Sequence, residues 1–186
     1  MSSARQNGHV LVVAATEREL APVEGGRTAV CGIGPVEAAA TTARALAEER
    51  PSAVLHVGIA GARGLAPLTL VLGSEAVYCD AAGPLVPTRT APDADLLARL
   101  RDAFPDAAVR PIGTSARVGG SHGVDVEAME GFAVLRACEL AGVPAVEVRV
   151  VSNEIDEPDR ALWRFDEAFA KLAETLPRLV AVASSE

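Results

Sequence analysis

Short apolar runs and longer segments of helical periodicity alternate along the chain. The apolar runs are rich in β-branched residues, a pattern typical of strands buried in a parallel sheet. They predict strands over 9–15, 28–31, 53–57, 70–78, 108–112 and 145–151. Helical spacing predicts helices over 36–50, 93–104, 129–141 and 159–183, the last interrupted at Pro177. This alternation indicates an α/β fold, with a mainly parallel sheet covered by helices on both faces.

Composition narrows the class of protein. The 186 residues contain no repeat or linker, so a single domain over residues 1–186 is expected. Acidic residues outnumber basic ones by 25 to 17, and the net charge of −8 argues against nucleic acid as a partner. The first residues are polar, and no apolar run approaches the roughly 18 residues of a membrane helix. No membrane association is therefore expected.

The cysteines and histidines are scattered. Cys31, Cys79 and Cys138 lie far apart and lack the Cys-x-x-Cys spacing of a zinc or redox site. The three histidines form no cluster either, so neither a metal nor a cofactor is expected. This cysteine usage favours a reduced, cytoplasmic protein.

Two glycine-rich segments follow predicted strands, at 32–34 (GIG) and 58–61 (GIAG). Ligands of such sheets bind at the carboxyl ends of the strands, so chemistry is expected near these segments. Neither segment has the spacing of a dinucleotide-binding fingerprint, which disfavours a Rossmann cofactor site. Taken alone, the glycines predict tight turns where strands end.

Five segments resemble the nucleoside phosphorylase and nucleosidase family, and they occur in the family's order. They are 14–20 (AATEREL), 31–35 (CGIGP), 56–61 (HVGIAG), 126–131 (VEAMEG) and 148–153 (VRVVSN). The resemblance implies a three-layer α/β/α sandwich with a mixed, mainly parallel central sheet. It also implies an enzyme that binds a small purine nucleoside and assembles as a homodimer or higher homo-oligomer.

The resemblance assigns roles to several side chains. Glu19 would position and activate an attacking water, and Glu130 would hold the ribose hydroxyls, with Met129 packed beneath the sugar. Asn153 stands where adenine-releasing members have an Asp. Its amide can donate a hydrogen bond but no proton, which favours a 6-oxopurine as the leaving base. Without the family, Glu19 is typical of an exposed charge after a strand, Glu130 of an acidic residue at a helix start, and Asn153 of a turn after a strand.

Ile59 distinguishes hydrolysis from phosphorolysis. Phosphorylases of the family carry a Ser or Thr hydroxyl in this segment, whereas an isoleucine cannot donate to phosphate. Water is therefore the expected nucleophile, although Arg27 and Arg63 lie near enough in the sequence to contest this. The combined segments are similar to futalosine hydrolases, which release hypoxanthine from futalosine in menaquinone biosynthesis.

Other interpretations stay open at this point. Ser115 and Val118 fall where the family's base-covering loop is expected, and the short connections of this chain predict a reduced lid. A 5′-methylthioadenosine/S-adenosylhomocysteine nucleosidase is the enzymatic alternative. A shortened paralogue that binds a nucleoside without cleaving it is the alternative of another class, and a flavodoxin-like cofactor-binding domain is more remote.

Overall fold

The computed structural model describes residues 8–20 and 26–185. The polar residues before Gly8 and part of the connection between Glu19 and Cys31 lie outside the described residues. The strands are β1 (Val10–Ala14), β2 (Gly26–Val30), β3 (Ala53–Ala62), β4 (Leu70–Tyr78), β5 (Arg89–Thr90), β6 (Ala108–Thr114), β7 (Val126–Ala128) and β8 (Ala145–Glu154). The helices are α1 (Pro35–Glu49), α2 (Ala94–Ala103), α3 (Gly131–Ala141) and α4 (Phe165–Ser184), with 3-10 turns at Glu17–Glu19 and Arg160–Leu162.

The eight strands form one mixed sheet in the order β2-β1-β3-β7-β6-β4-β5, with β8 paired to both β3 and β4. The pairs β1–β2, β1–β3, β3–β8, β4–β6 and β6–β7 are parallel. The pairs β3–β7, β4–β5 and β4–β8 are antiparallel. Because β3 pairs with both β7 and β8, the strands β3, β8, β4, β6 and β7 close into a ring.

Helices cover both faces of this sheet, because alternate residues of its strands point to opposite sides. Val12 and Leu55 pack with α2 and α4 in one apolar cluster. Leu11 and Val13 pack with α1 and α3 in a second cluster. The α/β/α sandwich with a mixed, mainly parallel sheet is thereby confirmed.

Two strands run further than their apolar cores predict. The predicted turn at 58–61 is wrong, because these residues continue β3 and pair with β8. In the same way β8 extends past Val151 and takes Ser152 and Asn153 into the sheet. The short strands β5 and β7 were not predicted, since two and three residues are too few to show a periodic pattern.

The prediction for the last helix is wrong in two respects. The helix begins at Phe165 rather than near residue 159, and it continues through Pro177 without a break. Proline removes one backbone hydrogen bond and crowds the preceding turn. The buried leucines Leu172, Leu176 and Leu179 offset that loss by packing on the sheet. None of the described helices is both long and apolar enough to cross a membrane.

Candidate active site

A cavity of about 350 Å³ opens at the carboxyl ends of β1, β3 and β8. Its lining includes six of the residues predicted from the sequence: Glu19, Ile59, Val118, Met129, Glu130 and Asn153. Segments far apart in the chain therefore meet at one place. The position agrees with the rule that sheets of this class bind ligands where their parallel strands end.

Glu19 is buried and held by hydrogen bonds on both carboxylate oxygens. Its Oε2 accepts from the backbone N–H and the hydroxyl of Thr16, each at 3.0 Å. Its Oε1 accepts from the N–H of Ile59 at 3.3 Å. A carboxylate oxygen can accept two hydrogen bonds. Oε1 therefore keeps one acceptor position for a water molecule in the cavity.

Glu130 lies at the start of α3, where its side chain binds outside the helix. Oε1 accepts from the backbone N–H of Gly34 at 3.1 Å, and Oε2 lies 3.5 Å from Nη2 of Arg149. Burial raises the pKa of this carboxyl, and the Arg149 charge opposes that effect only in part. Glu130 thus reaches the cavity as a firmly oriented carboxyl group.

Arg149 is fully buried in β8 and was not predicted as a site residue. Its Nε donates to Oε1 of Glu147 at 2.8 Å. Burial lowers its pKa, but the carboxylates of Glu147, Glu130 and Glu19 together outweigh that effect, so the pKa is raised. One guanidinium therefore supplies positive charge to three acidic side chains.

The tautomer of His56 follows from its two partners. Nδ1 lies 3.1 Å from the carbonyl oxygen of Val13, which can only accept, so Nδ1 carries the proton. Nε2 then accepts from Nη2 of Arg149 at 2.5 Å. Burial and the neighbouring Arg149 charge hold the pKa of His56 well below its usual 6.5. The imidazole is neutral and acts as an acceptor for Arg149.

The glycines of β3 make room for these side chains. A Cβ on Gly58 would lie 2.2 Å from Nη1 of Arg149 and 2.7 Å from Oε1 of Glu19. A Cβ on Gly61 would lie 3.0 Å from Nδ2 of Asn153. Side chains approach closely here from the neighbouring strand, which is why a strand interior contains glycine.

Asn153 lies at the end of β8 beside the cavity. Its Nδ2 donates to the backbone carbonyl of Glu154 at 3.0 Å, and its Oδ1 accepts from the Ser152 hydroxyl at 2.7 Å. A side-chain amide has two N–H bonds, so one donor stays free. Asn153 can donate this second hydrogen bond to a ligand in the cavity.

Three aromatic side chains, Trp163, Phe165 and Phe169, form part of the cavity wall. Trp163 meets Phe165 edge-to-face at 5.4 Å, and the guanidinium of Arg18 lies 4.5 Å above the Phe169 ring. These residues were missed in the sequence. A signal was present, because half of the chain's few aromatic residues fall within 163–169.

Ser115 is placed away from the cavity. The residue is fully buried, and its hydroxyl donates to Oδ1 of Asp80 at 2.8 Å and accepts from the Arg117 N–H at 3.3 Å. It is absent from the described lining. Its place in the structure is at the base of the loop 115–125, which it fastens to Asp80.

The same loop brings Val118 to the cavity. Buried Glu127 of β7 accepts from the N–H of Gly119 at 2.5 Å, and from the N–H and hydroxyl of Ser121 at 2.8 and 2.7 Å. Val118 lies next to these fixed residues and is half exposed. Glu127 thereby holds the loop over one side of the cavity.

The two arginines that contested the choice of nucleophile lie elsewhere. Arg27 forms an exposed ion pair with Glu49, and Nε of Arg63 pairs with Asp156 at 2.9 Å. Neither belongs to the described lining of the cavity. Surface ion pairs of this kind contribute little to stability, so these residues are ordinary surface charges.

Known proteins identify the class to which this fold and site belong. The model of the phosphorylase superfamily matches residues 27–184, and the chain belongs to this family. Within it, the chain is 43% identical over 77 residues to the futalosine hydrolase of Streptomyces coelicolor, a match covering 39% of this chain and 33% of that relative. It is 32% identical over 178 residues to the futalosine hydrolase of Acidothermus cellulolyticus, covering 77% and 73%. The first match thus spans only a third of its relative.

Solved structures share the fold. The 5′-methylthioadenosine/S-adenosylhomocysteine nucleosidase of Helicobacter pylori has a TM-score of 0.81 at 17% identity, covering 92% of this chain and 97% of its own. The futalosine hydrolase of the same species has a TM-score of 0.78 at 18% identity, covering 94% and 96%. The nucleosidase of Neisseria meningitidis has a TM-score of 0.76 at 26% identity, covering 94% and 97%.

Proposed function

We propose that this protein is an N-ribosyl hydrolase for a 5′-modified purine nucleoside, with futalosine as the substrate and hypoxanthine as the released base. One observation carries the proposal. Glu19, Glu130 and Asn153 line one cavity, and each has hydrogen-bonding capacity that its partners in the protein leave unused. The futalosine hydrolases among the sequence relatives support the choice of substrate.

Each of the three groups meets one need of the reaction. Cleavage of an N-ribosidic bond passes through an oxocarbenium-like state, in which positive charge develops on the sugar. Glu19 orients a water through Oε1 and takes its proton as the water attacks the anomeric carbon. Glu130 binds the ribose hydroxyls, and its negative charge favours the developing cation. Asn153 donates to N7 or O6 of the departing 6-oxopurine.

The polar groups near the cavity favour water over phosphate as the nucleophile. The Arg149 guanidinium is engaged by Glu147, Glu130 and His56. Arg18, at the rim, pairs with an aspartate and lies over an aromatic ring. Ile59 adds an apolar side chain to the lining. Binding a phosphate dianion would require breaking one of these pairs, so hydrolysis is the simpler chemistry.

The test is an assay of the released base. Purified protein is incubated with futalosine, inosine or methylthioadenosine, with and without phosphate, and the bases are separated by liquid chromatography. We expect hypoxanthine from futalosine at a rate that phosphate does not change. Glu19→Gln should lower kcat by about 10²–10⁴-fold, the usual contribution of general acid-base catalysis. Glu17→Gln is the matched control, since this exposed carboxylate lies in the same turn.

Three results would contradict the proposal: phosphate-dependent cleavage, release of adenine alone, and nucleoside binding without turnover that Glu19→Gln leaves unchanged. The second result would favour a methylthioadenosine/S-adenosylhomocysteine nucleosidase, for which the 26% identity to the Neisseria enzyme argues. The third would favour a non-catalytic nucleoside-binding paralogue. The cytoplasmic location and the homo-oligomer stay predictions, and light scattering of the purified protein tests the latter.

A further inference from the structure

β8 carries two charged side chains on a face that is otherwise buried among apolar residues. Glu147 and Arg149 are two residues apart and lie on the α3 side of the strand, whereas Val146 before them and Val148 between them pack towards α4. Neither charged side chain is more than 1% exposed. Glu147 is not part of the described cavity lining, so it cannot touch a ligand there.

The surrounding chain is built to accommodate the Glu147 carboxylate. A Cβ on Gly131, the first residue of α3, would lie only 2.0 Å from Oε2 of Glu147. Oε2 itself has no hydrogen-bond partner among the described residues, and Oε1 contacts Nε of Arg149. A buried carboxylate with a single partner is unfavourable compared with an apolar side chain of the same size. Its contact with Arg149 is therefore the place to look for a role.

Each nitrogen of the Arg149 guanidinium has a close neighbour in the protein. Nε is held by Glu147, Nη2 by His56 and Glu130, and Nη1 lies over Gly58. Glu147 provides the bond at the base of the guanidinium. That bond holds Nε, while the two Nη atoms lie beside Glu130, His56 and Gly58.

We propose that Glu147 is a positioning residue for hydrolysis, which holds the Arg149 guanidinium against Glu130 and beside Glu19. This inference rests on the proposed function, because it concerns the same cavity. Glu147 acts only through Arg149. It controls both the place and the charge balance of the carboxyl group that receives the ribose.

The charge balance yields a measurable consequence. The charged or titratable groups facing Glu147 and Glu130 are Arg149, His56, Glu19 and Cys31. His56 is neutral, and burial raises the pKa of Cys31 to about 12, so neither contributes charge at neutral pH. Burial raises the pKa of Glu147, the Arg149 guanidinium in contact with it lowers that pKa, and the Glu130 charge raises it further. Repulsion between two carboxylates is mutual. Removing a Glu147 charge that Arg149 holds ionised should therefore lower the pKa of Glu130 and move the acid limb of the pH–rate profile to lower pH.

Two substitutions separate the contact from the charge. Glu147→Gln keeps an oxygen for Nε of Arg149 but removes the charge. We expect kcat/KM at neutral pH within about threefold of the unmodified protein, and an acid limb lower by about half a pH unit or more. Glu147→Leu removes the contact as well, so a fall in kcat/KM of about 10²-fold is expected from the displaced guanidinium.

The matched control is Glu75→Gln. Glu75 is also a strand glutamate paired with an arginine, but its pair with Arg89 is on the surface. This variant should leave both kcat/KM and the acid limb unchanged. Thermal unfolding of every variant shows whether an activity loss is a loss of folded protein.

A readout independent of activity keeps this proposal separate from the proposed function. Carbon-13 NMR of labelled glutamate side chains follows the titration of Glu130, identified by its absence in Glu130→Gln. The midpoint should fall in Glu147→Gln. If no nucleoside is cleaved but the midpoint falls, the proposed function fails and the coupling stands. If Glu147→Gln leaves both midpoint and acid limb as in Glu75→Gln, the positioning role is refuted, even if Glu147→Leu does not fold.

Discussion

Gly58→Ala introduces a single methyl group where β3 faces the charged side chains of the site. The new Cβ would lie 2.2 Å from Nη1 of Arg149, whereas ordinary contacts begin near 3.4 Å. The guanidinium would have to withdraw by about 1.2 Å, the difference between these distances. Retreat is restricted, because Glu147 and His56 hold the group from the other side. The same methyl group also crowds Oε1 of Glu19, at 2.7 Å.

These displacements set the expected size of the effect. Misplacing a reacting or orienting group by about 1 Å can lower a rate by 10²-fold, so kcat/KM should fall by about 10²-fold or more. Overpacking a buried position typically destabilises a protein by about 1–3 kcal/mol. For a chain of this size each kcal/mol lowers Tm by about 2–4 °C. The protein should therefore stay folded at assay temperature while losing most of its activity.

The assay measures hypoxanthine release from futalosine alongside calorimetric Tm, with two companion variants. Gly61→Ala places its Cβ at the less severe 3.0 Å from Nδ2 of Asn153, so its loss of activity should be smaller. Gly73→Ala is the stability control, since its Cβ meets Cδ1 of Ile112 and the Cβ and carbonyl oxygen of Glu147 at 3.2–3.3 Å, distances that need a shift of only a few tenths of an ångström and involve no charged atom. If Gly58→Ala turned over substrate within about threefold of Gly73→Ala, the spatial reasoning would be wrong.

Three further predictions concern the released base, the aromatic wall of the cavity and the pH dependence of folding stability. Asn153→Asp should raise adenine release relative to hypoxanthine release by about 10²-fold, because an Asp can protonate the leaving base; unchanged product ratios would contradict this. Trp163→Leu should raise KM about tenfold with little change in kcat if the ring stacks on the ligand, as measured by initial rates. His56 has a lowered pKa, so the unfolded chain binds its proton first and stability falls as the pH drops below about 6.5. His56→Gln should remove about 1.4 kcal/mol per pH unit of that slope in urea titrations, and an unchanged slope would refute the assignment.

The strands and helices were predictable wherever a run of apolar residues was long enough to repeat. Residues 9–15 and 36–50 gave β1 and α1 within a residue or two of their observed bounds. Local patterns failed at Pro177, where tertiary packing of α4 outweighs an unfavourable residue. They failed also at β7, whose three residues are ordered by pairing with β3 and β6. In both cases the decisive contacts are distant in sequence.

The site was predictable only in part, for a related reason. Glu19, Glu130 and Asn153 were found because they belong to segments that resemble a family. Glu147 and His56 touch no ligand position, and no segment pattern marks them as a pair. The charged residues inside the apolar run 145–151 were nevertheless visible. Two charges within a buried strand require partners, and a search for those partners would have pointed to a buried polar network.

The positions of Gly58 and Gly61 follow from the pairing of β3 with β8, which the turn propensity of glycine does not indicate. In the parallel pairing of β3 with β8, Gly58 lies opposite Arg149 and Gly61 lies opposite Asn153. On β3, Gly58 lies three residues before Gly61, whereas on β8 Arg149 lies four residues before Asn153. The irregularity in the pairing between Ala60 and Gly61 accommodates this extra residue of β8. Without it, Gly61 would face Ser152, and Asn153 would meet the next, larger side chain. The glycines are therefore placed by the long side chains of the opposite strand, and a turn prediction from the segment alone could not have found that cause.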